Sequence, residues 1–175
     1  MRDGLAIVRM TVQAIDPNLR NALMEPSREL RRVAAERHVE LVAGFENLLH
    51  APSTDEPHAL AMRWRLLDAA LRDHMMVEED LIIPAYQLTA PEEGDELRTE
   101  HAKLRALLEE IGIDVREHGI HSERLRHLLE LLRTHAARED ASMYPWAEAN
   151  LPLVVRRQLF IRISHWLRRL RSRRL

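Results

Sequence analysis

The sequence predicts an all-α protein built on an up-down-up-down four-helix bundle, with an additional amphipathic helix at its carboxyl end. Three observations predict this class. The 175 residues include only 5 Gly and 4% aromatic residues, and they are rich in Leu, Ala, Arg and Glu, which favour helices over strands. Apolar residues recur with the helical period over long segments. Short loops separate these segments, as antiparallel neighbouring helices require.

Charge and periodicity divide the chain into three predicted parts. An N-terminal arm spans residues 1–26, the bundle spans residues 27–150, and a basic C-terminal helix spans residues 151–175. The arm alternates polar and apolar residues around Val8 and Val12. Because the chain offers no partner strand, the arm is expected to be irregular. The net charge of −2 hides an asymmetry, since the C-terminal part contains eight Arg and no acidic residue.

The first two predicted helices form an α-hairpin. Residues 27–50 begin with Ser27, a good N-cap residue, and carry His38 on their apolar face. The loop at residues 51–57 contains Ser and Thr that can cap the second helix. That helix places His74 and Glu78 on its apolar face, and Pro84 is expected to end or kink it.

The third and fourth predicted helices form a second α-hairpin. Pro91 suits the first turn of the third helix, whose apolar face carries His101. Ser122 is expected to cap the fourth helix, which places His135 and Glu139 on its apolar face. The fifth segment begins at residue 152 and separates an apolar face from an Arg-rich one. This last pattern indicates a helix that covers the bundle.

The two hairpins share one pattern of His, Glu and Pro. DHMMVEEDLIIPAYQ at residues 73–87 and THAAREDASMYPWAE at residues 134–148 each place Glu four residues, and Pro ten residues, after the His. His and Glu four residues apart lie on the same side of a helix. His38 precedes the first pair by 36 residues and His101 precedes the second by 34. Each hairpin therefore carries one His on its first helix and a His-x-x-x-Glu pair on its second.

The duplicated pattern directs four imidazoles and two carboxylates at one bundle interior. A single His or Glu on an apolar face is more often an ordinary buried polar residue than a ligand. An ionised Glu there is nevertheless costly unless it is paired or bound to a metal. The combination predicts a metal site formed by His38, His74, Glu78, His101, His135 and Glu139.

The ligand types narrow the metal that this site would hold. The chain has no Cys, which excludes disulfides and thiolate ligands. Six nitrogen and oxygen ligands suit iron or manganese, and two shared carboxylates suit a pair of ions better than one zinc ion. The Glu-x-x-His spacing of ferritin-like sites and the His-Glu-x-x-His spacing of zincins do not occur.

The order His, His-x-x-x-Glu, His, His-x-x-x-Glu resembles the hemerythrin-like or HHE cation-binding family over roughly residues 27–148. The resemblance implies a non-haem di-iron centre with an oxo or hydroxo bridge, and manganese or a mixed-metal centre is the alternative. Glu78 and Glu139 would bridge the irons. His38 and His74 would bind one iron, and His101 and His135 would bind the other. Dioxygen or a related small oxidant, such as peroxide or nitric oxide, would be the partner.

Two positions depart from the oxygen-carrying members of that family. Arg105 stands where the carriers have a second His on the third helix. This favours sensing, or a peroxide- or oxygen-linked oxidoreductase activity, over simple oxygen carriage, and whether the protein is an enzyme stays open. Asp140 occupies the offset of the carriers' Asp ligand; a regular helix favours Glu139, whereas a π-bulge would select Asp140. Tyr86 and Tyr144 are candidates for redox neighbours or for core packing.

Two alternative functions remain open at this point. One is an iron or oxygen sensor whose bundle stability reports metal occupancy. The other is a metal-free helical interaction module whose basic C-terminal helix docks on a membrane or nucleic acid. Because a cover helix is favoured for residues 151–175, neither nucleic acid nor a membrane surface is an expected partner. The sequence shows no signal-peptide pattern and no apolar run of about 20 residues, which predicts a cytoplasmic protein. The oligomeric state stays open.

Overall fold

Helices account for nearly all of the chain that can be described. The computed structural model describes residues 26–51, 57–117 and 121–171. The elements, in chain order, are α1 (Pro26–Leu49), α2 (Pro57–Leu81), α3 (Ile83–Tyr86), α4 (Pro91–Glu117), α5 (Ser122–Arg138), a π-helical turn (Glu139–Met143), α6 (Tyr144–Asn150) and α7 (Leu153–Arg171). No strand occurs in the described ranges, and the predicted all-α class is confirmed. The alternating segment of the predicted arm, around Val8 and Val12, lies outside them, as do the predicted caps at 53 and 54.

The four long helices close into a bundle. α1 packs against α2 and α5, and α4 packs against the same two helices. The beginning of α1 shares an apolar cluster with the end of α2, and the end of α1 shares a second cluster with the beginning of α2. Neighbouring helices are therefore antiparallel, as in the predicted up-down-up-down bundle.

The two apolar clusters lie at opposite ends of a polar layer. Along α1, Leu30 and Val33 belong to the first cluster, and Leu41 and Phe45 belong to the second. His38 lies between them and is only 3% exposed. α2 and α4 pass between the clusters in the same way, and α5 does so together with the π-helical turn that follows it. The bundle is therefore apolar at both ends and polar in one central layer.

Two predicted N-caps differ from the structure. α1 begins at Pro26, so Ser27 lies inside the first turn. α5 begins at Ser122, and His121 occupies the N-cap position without a capping side-chain hydrogen bond. In both places the sequence signal was displaced by one or two residues, which is the usual uncertainty of a helix end.

The two repeated prolines act differently. α2 ends at Leu81, before Pro84, which agrees with the prediction. Pro145 lies in the first turn of α6, and the chain stays helical to Asn150, so this proline does not end its helix. Pro cannot donate the backbone hydrogen bond of a regular helix. The π-helical turn absorbs this defect, because the amide of Tyr144 donates to the carbonyl of Glu139, five residues back.

The helix α7 covers one side of the bundle. It packs against α1 and α2, and Leu159, Phe160 and Ile163 are buried in the first apolar cluster. Its polar side includes Arg162, which lies 3.6 Å from Asp80. This is the arrangement predicted for a cover helix. None of the described helices combines the length and apolarity that crossing a membrane requires.

Gly94, in the first turn of α4, packs tightly against the turn that precedes the helix. A Cβ at this position would lie 2.8 Å from Cβ and 3.0 Å from Cα of Gln87. Because backbone atoms cannot rotate away, we expect Gly94→Ala to lower the free energy of unfolding by about 1–3 kcal/mol. Urea denaturation followed by circular dichroism measures this change.

Gly44→Ala is the matched control for this substitution. Its added Cβ would meet chiefly the terminal Cδ2 of Leu67, a methyl group that can move by rotation of the side chain. The loss of stability should therefore be smaller than at Gly94. An equal or larger loss at Gly44 would contradict the packing account.

Candidate metal centre

Six buried side chains meet in the central polar layer. All four long helices contribute, and none of the six residues is more than 3% exposed. They are the six residues of the duplicated sequence pattern: His38, His74, Glu78, His101, His135 and Glu139. The structure therefore brings the whole predicted set together.

The ligand atoms of these residues form two overlapping groups. Site A contains Nε2 of His38 and His74, which are 3.1 Å apart. Site B contains Nε2 of His101 and His135, which are also 3.1 Å apart. The same two glutamates belong to both groups, and the ligand atoms within each group lie within 4.8 Å of one another.

Each of the two carboxylates extends one oxygen toward each site. Glu139 Oε2 lies 3.1 Å from Nε2 of His38, and its Oε1 lies 3.0 Å from Nε2 of His135. Glu78 Oε1 lies 3.3 Å from Nε2 of His74, and its Oε2 lies 3.5 Å from Nε2 of His101. The glutamates therefore stand between the two pairs of imidazoles, where bridging carboxylates would stand.

The carboxylate oxygens are available to a bound cation. Among the described residues, Oε2 of Glu78 and both oxygens of Glu139 are buried without a hydrogen-bond partner. Their nearest polar neighbours are imidazole nitrogens at 3.0–3.7 Å, which compensate the buried charge only when they are protonated, whereas a bound cation would compensate it directly. Two ligands at right angles, each about 2.1 Å from one ion, are about 3 Å apart. The separations of 3.0–3.7 Å between imidazole nitrogens and carboxylate oxygens are close to this spacing.

Three of the four imidazoles are oriented by carboxylates outside the cluster. The hydrogen bonds join Nδ1 of His38 to Asp140 (3.0 Å), Nδ1 of His101 to Glu79 (2.8 Å) and Nδ1 of His135 to Glu100 (2.8 Å). A carboxylate on Nδ1 fixes the ring and leaves Nε2 as the ligand atom. Each of these acids is adjacent in sequence to a residue of the cluster. This adjacency was the available signal for Glu100, which is not among the residues predicted from the sequence.

The π-helical turn does not make Asp140 part of the cluster. The turn begins at Glu139, whose amide still donates to the carbonyl of His135, four residues back. The helix is therefore regular between these two residues, and Glu139 faces the cluster with no exposed surface. Asp140 lies outside, where it contacts Nδ1 of His38.

One other residue singled out from the sequence contacts the centre directly. Tyr144 is buried, and its hydroxyl donates to Oε1 of Glu78 at 2.6 Å. Burial and the charge of Glu78 raise the pKa of Tyr144 well above its usual value, so the hydroxyl keeps its proton. Tyr86 instead donates to Glu93, away from the cluster. Arg105 binds both oxygens of Glu79, at 2.7 and 2.6 Å.

The electrostatics of the cluster favour protons on three of its imidazoles. Burial lowers the pKa of each His, but at three of them nearby carboxylates outweigh this effect. The net result raises the pKa of His38 and His101 to about 9 and that of His135 to about 10. At His74 burial prevails and the pKa is lowered. Burial opposes the charge of Glu139, but His135 and neighbouring imidazoles hold the pKa of Glu139 well below its usual range.

Comparison with known proteins identifies one family. The sequence profile described as Hemerythrin HHE cation binding domain matches residues 30–147, which is more than half of the chain and includes all six clustered residues. No curated protein sequence and no solved structure matches the chain.

A divalent cation that binds this cluster must displace protons from its imidazoles. The pKa values of His38, His101 and His135 are raised to about 9, 9 and 10, so the cluster holds protons at neutral pH. We therefore expect metal binding at neutral pH to release protons, and the affinity to fall as the pH is lowered. Calorimetric titration of Mn²⁺ into metal-free protein, in two buffers that differ in ionisation enthalpy, counts these protons. A binding heat that is the same in both buffers would contradict the expectation.

Proposed function

The chain belongs to the hemerythrin HHE cation-binding family, and from this premise we propose that it is a non-haem di-iron protein. Its irons would bind dioxygen or react with a related small oxidant, such as peroxide or nitric oxide. Site A would hold one iron and site B the other, with both glutamates shared. The observation that carries the proposal is the three buried carboxylate oxygens that lack a hydrogen-bond partner among the described residues.

The ligand set supports iron as the metal. Four imidazoles and two carboxylates, without sulfur, suit iron or manganese. Because each carboxylate reaches toward both His pairs, the set is arranged for two ions. When bound, an iron pair supplies the electrons for chemistry with an oxidant, which makes iron the favoured metal and manganese the alternative.

The surrounding side chains would exclude water from the ions. Leu71, Leu104 and Leu132 each lie one helical turn from a clustered His on their own helix, and they are at most 1% exposed. Each site offers two nitrogens and two oxygens from side chains. An ion that takes more than four ligands would therefore have positions left for a small molecule.

The polar neighbours of the cluster would hold protons in defined places. Tyr144 keeps its proton on the hydroxyl that donates to Glu78. The Nδ1 hydrogen bonds to carboxylates keep the second proton of His38 and His101 outside the cluster. Because Arg105 binds Glu79 rather than adding an imidazole to site B, both sites have the same side-chain ligands. Both ions would therefore have positions open to a small molecule, which supports reaction with an oxidant over simple oxygen carriage.

Sensing of iron or oxygen is a second candidate function. It is favoured by the complete burial of Glu78 and Glu139, since ion binding would remove the cost of these buried charges. The stability of the bundle would then depend on metal occupancy. Such a protein could report the metal without turning over an oxidant.

Glu139→Gln removes the charge of a carboxylate that faces both sites. We expect the wild-type protein to hold two irons per chain after anaerobic reconstitution. The variant should lose more than about nine-tenths of this iron, because even residues outside the ligand shell change metal affinity about 10- to 100-fold. Iron analysis and the optical spectrum of the desalted proteins measure the difference.

Glu46→Gln is the control, because Glu46 lies on α1 and pairs with Arg133 at the surface. It should retain the wild-type iron content. Absence of iron from the reconstituted wild-type protein, or full retention of iron by Glu139→Gln, would contradict the metal-binding proposal.

Reduced, iron-loaded protein should react with at least one of three oxidants. Stopped-flow mixing with dioxygen, peroxide or nitric oxide should change the iron absorption spectrum, and the change should be absent from metal-free protein. An unchanged spectrum with all three would contradict the proposed reactivity. If iron loading still raised the melting temperature, the sensor would then be the better account.

A further inference from the structure

The two sites have the same ligand types but different surroundings. We infer that site B binds its metal ion more tightly and fills first, whereas site A holds the weaker and more readily exchanged ion. This inference rests on the proposed metal binding. Three differences carry it: the contacts of the imidazoles, a buried arginine, and one hydrogen bond to a shared carboxylate.

At site B, both imidazoles have a carboxylate on Nδ1. The distances are 2.8 Å from His101 to Glu79 and 2.8 Å from His135 to Glu100. A carboxylate that accepts the Nδ1 proton makes Nε2 a stronger ligand and fixes its direction. These carboxylates are themselves held in place by arginines, Arg105 and Arg138. Site B is therefore supported and rigid on both of its imidazoles.

At site A, only one imidazole has this support. Nδ1 of His38 lies 3.0 Å from Asp140, whose side chain is 37% exposed. The described carboxylates that pair with His74 are Glu78 and Glu139, and both approach its Nε2. The ring of His74 instead borders a small cavity that Arg37 also lines. Site A therefore lacks one of the two contacts that strengthen site B.

In the sequence, an arginine stands beside site A at the position where an acid stands beside site B. Glu100 immediately precedes His101, and the residue that immediately precedes His38 is Arg37. Arg37 is 2% exposed, and its Nη2 donates to the carbonyl of Ala70 at 2.6 Å. The first hairpin thus supplies a buried cation where the second supplies an acceptor. Because Arg37 and His74 border the same cavity, a charged guanidinium there disfavours a further cation at site A.

One hydrogen bond weakens a shared carboxylate on the side of site A. Tyr144 donates to Oε1 of Glu78, which is the oxygen that lies 3.3 Å from His74. Oε2 of Glu78 faces His101 and has no hydrogen-bond partner in the described part of the chain. An oxygen that accepts a hydrogen bond donates its electrons less strongly to a metal ion, so Glu78 is a weaker ligand at site A. The equivalent residue in the first hairpin is Ile83, which cannot donate.

Anaerobic equilibrium dialysis of the metal-free full chain against Fe²⁺ tests the inference. The wild-type protein should bind two ions in separate steps, with dissociation constants that differ at least about 10-fold. Glu100→Gln should raise the dissociation constant of the tighter binding step about 10- to 100-fold, so the two dissociation constants should become more similar. Asp140→Asn should raise the dissociation constant of the weaker binding step, so the two dissociation constants should differ more. Tyr144→Phe should lower the dissociation constant of the weaker binding step, so the two dissociation constants should become more similar.

Two matched variants control for charge and for loss of a hydroxyl. Glu46 on α1 pairs with Arg133 at the surface, so Glu46→Gln should change neither step. Tyr86 donates to Glu93, outside the cluster, so Tyr86→Phe should also change neither step. Circular dichroism of each metal-free variant verifies that the bundle is folded.

The outcomes separate this inference from the proposed function. Two ions bound with equal affinity, or bound cooperatively in one step, would overturn the inference and leave iron binding intact. A weakened tight step in Asp140→Asn, together with a weakened loose step in Glu100→Gln, would reverse the assignment and overturn it as well. A wild-type protein that binds no Fe²⁺ would remove both the inference and the metal-binding proposal.

Discussion

The organising constraint of this protein is a layer of charge enclosed by an apolar core. Glu78 and Glu139 have no exposed surface, and three of their four oxygens have no hydrogen-bond partner among the described residues. Apolar clusters lie on both sides of this layer. A four-helix bundle would pack more easily with leucine at these positions, since buried ion pairs are often replaceable by apolar residues without loss of stability. The retained charges therefore indicate a ligand that the protein is built to hold.

Several local features keep the clustered side chains at one level of the bundle. The regular turn from His135 to Glu139 places both side chains in the cluster, and the π-helical turn begins only after it. The wider turn accommodates Pro145, so α6 continues into the apolar cluster that α7 covers. Outside the layer, Asp140 and other acids adjacent to clustered residues contact His side chains on neighbouring helices. The bundle thus positions the imidazoles through contacts between helices.

The sequence predicted the bundle and the six clustered residues because both depend on periodicity. A helical stripe that carries His or Glu among leucines must turn those residues inward. Contacts between helices were harder to predict, since Glu100 reaches His135 across 35 positions of sequence. The continuation of the helix past Pro145 could not be predicted, because no local sequence signal distinguishes a π-helical turn from a helix end. Nor did the sequence show that Tyr144 would donate to the carboxylate of the opposite hairpin.

The most direct measurement is a crystal structure of the iron-loaded protein with data collected at the iron absorption edge. The account predicts two anomalous peaks between the helices. One should lie at bonding distance, about 2.1 Å, from Nε2 of His38 and His74, and the other at the same distance from Nε2 of His101 and His135. Each should also contact one oxygen of both glutamates. A single peak elsewhere on the protein, or no peak in the central layer, would contradict the account.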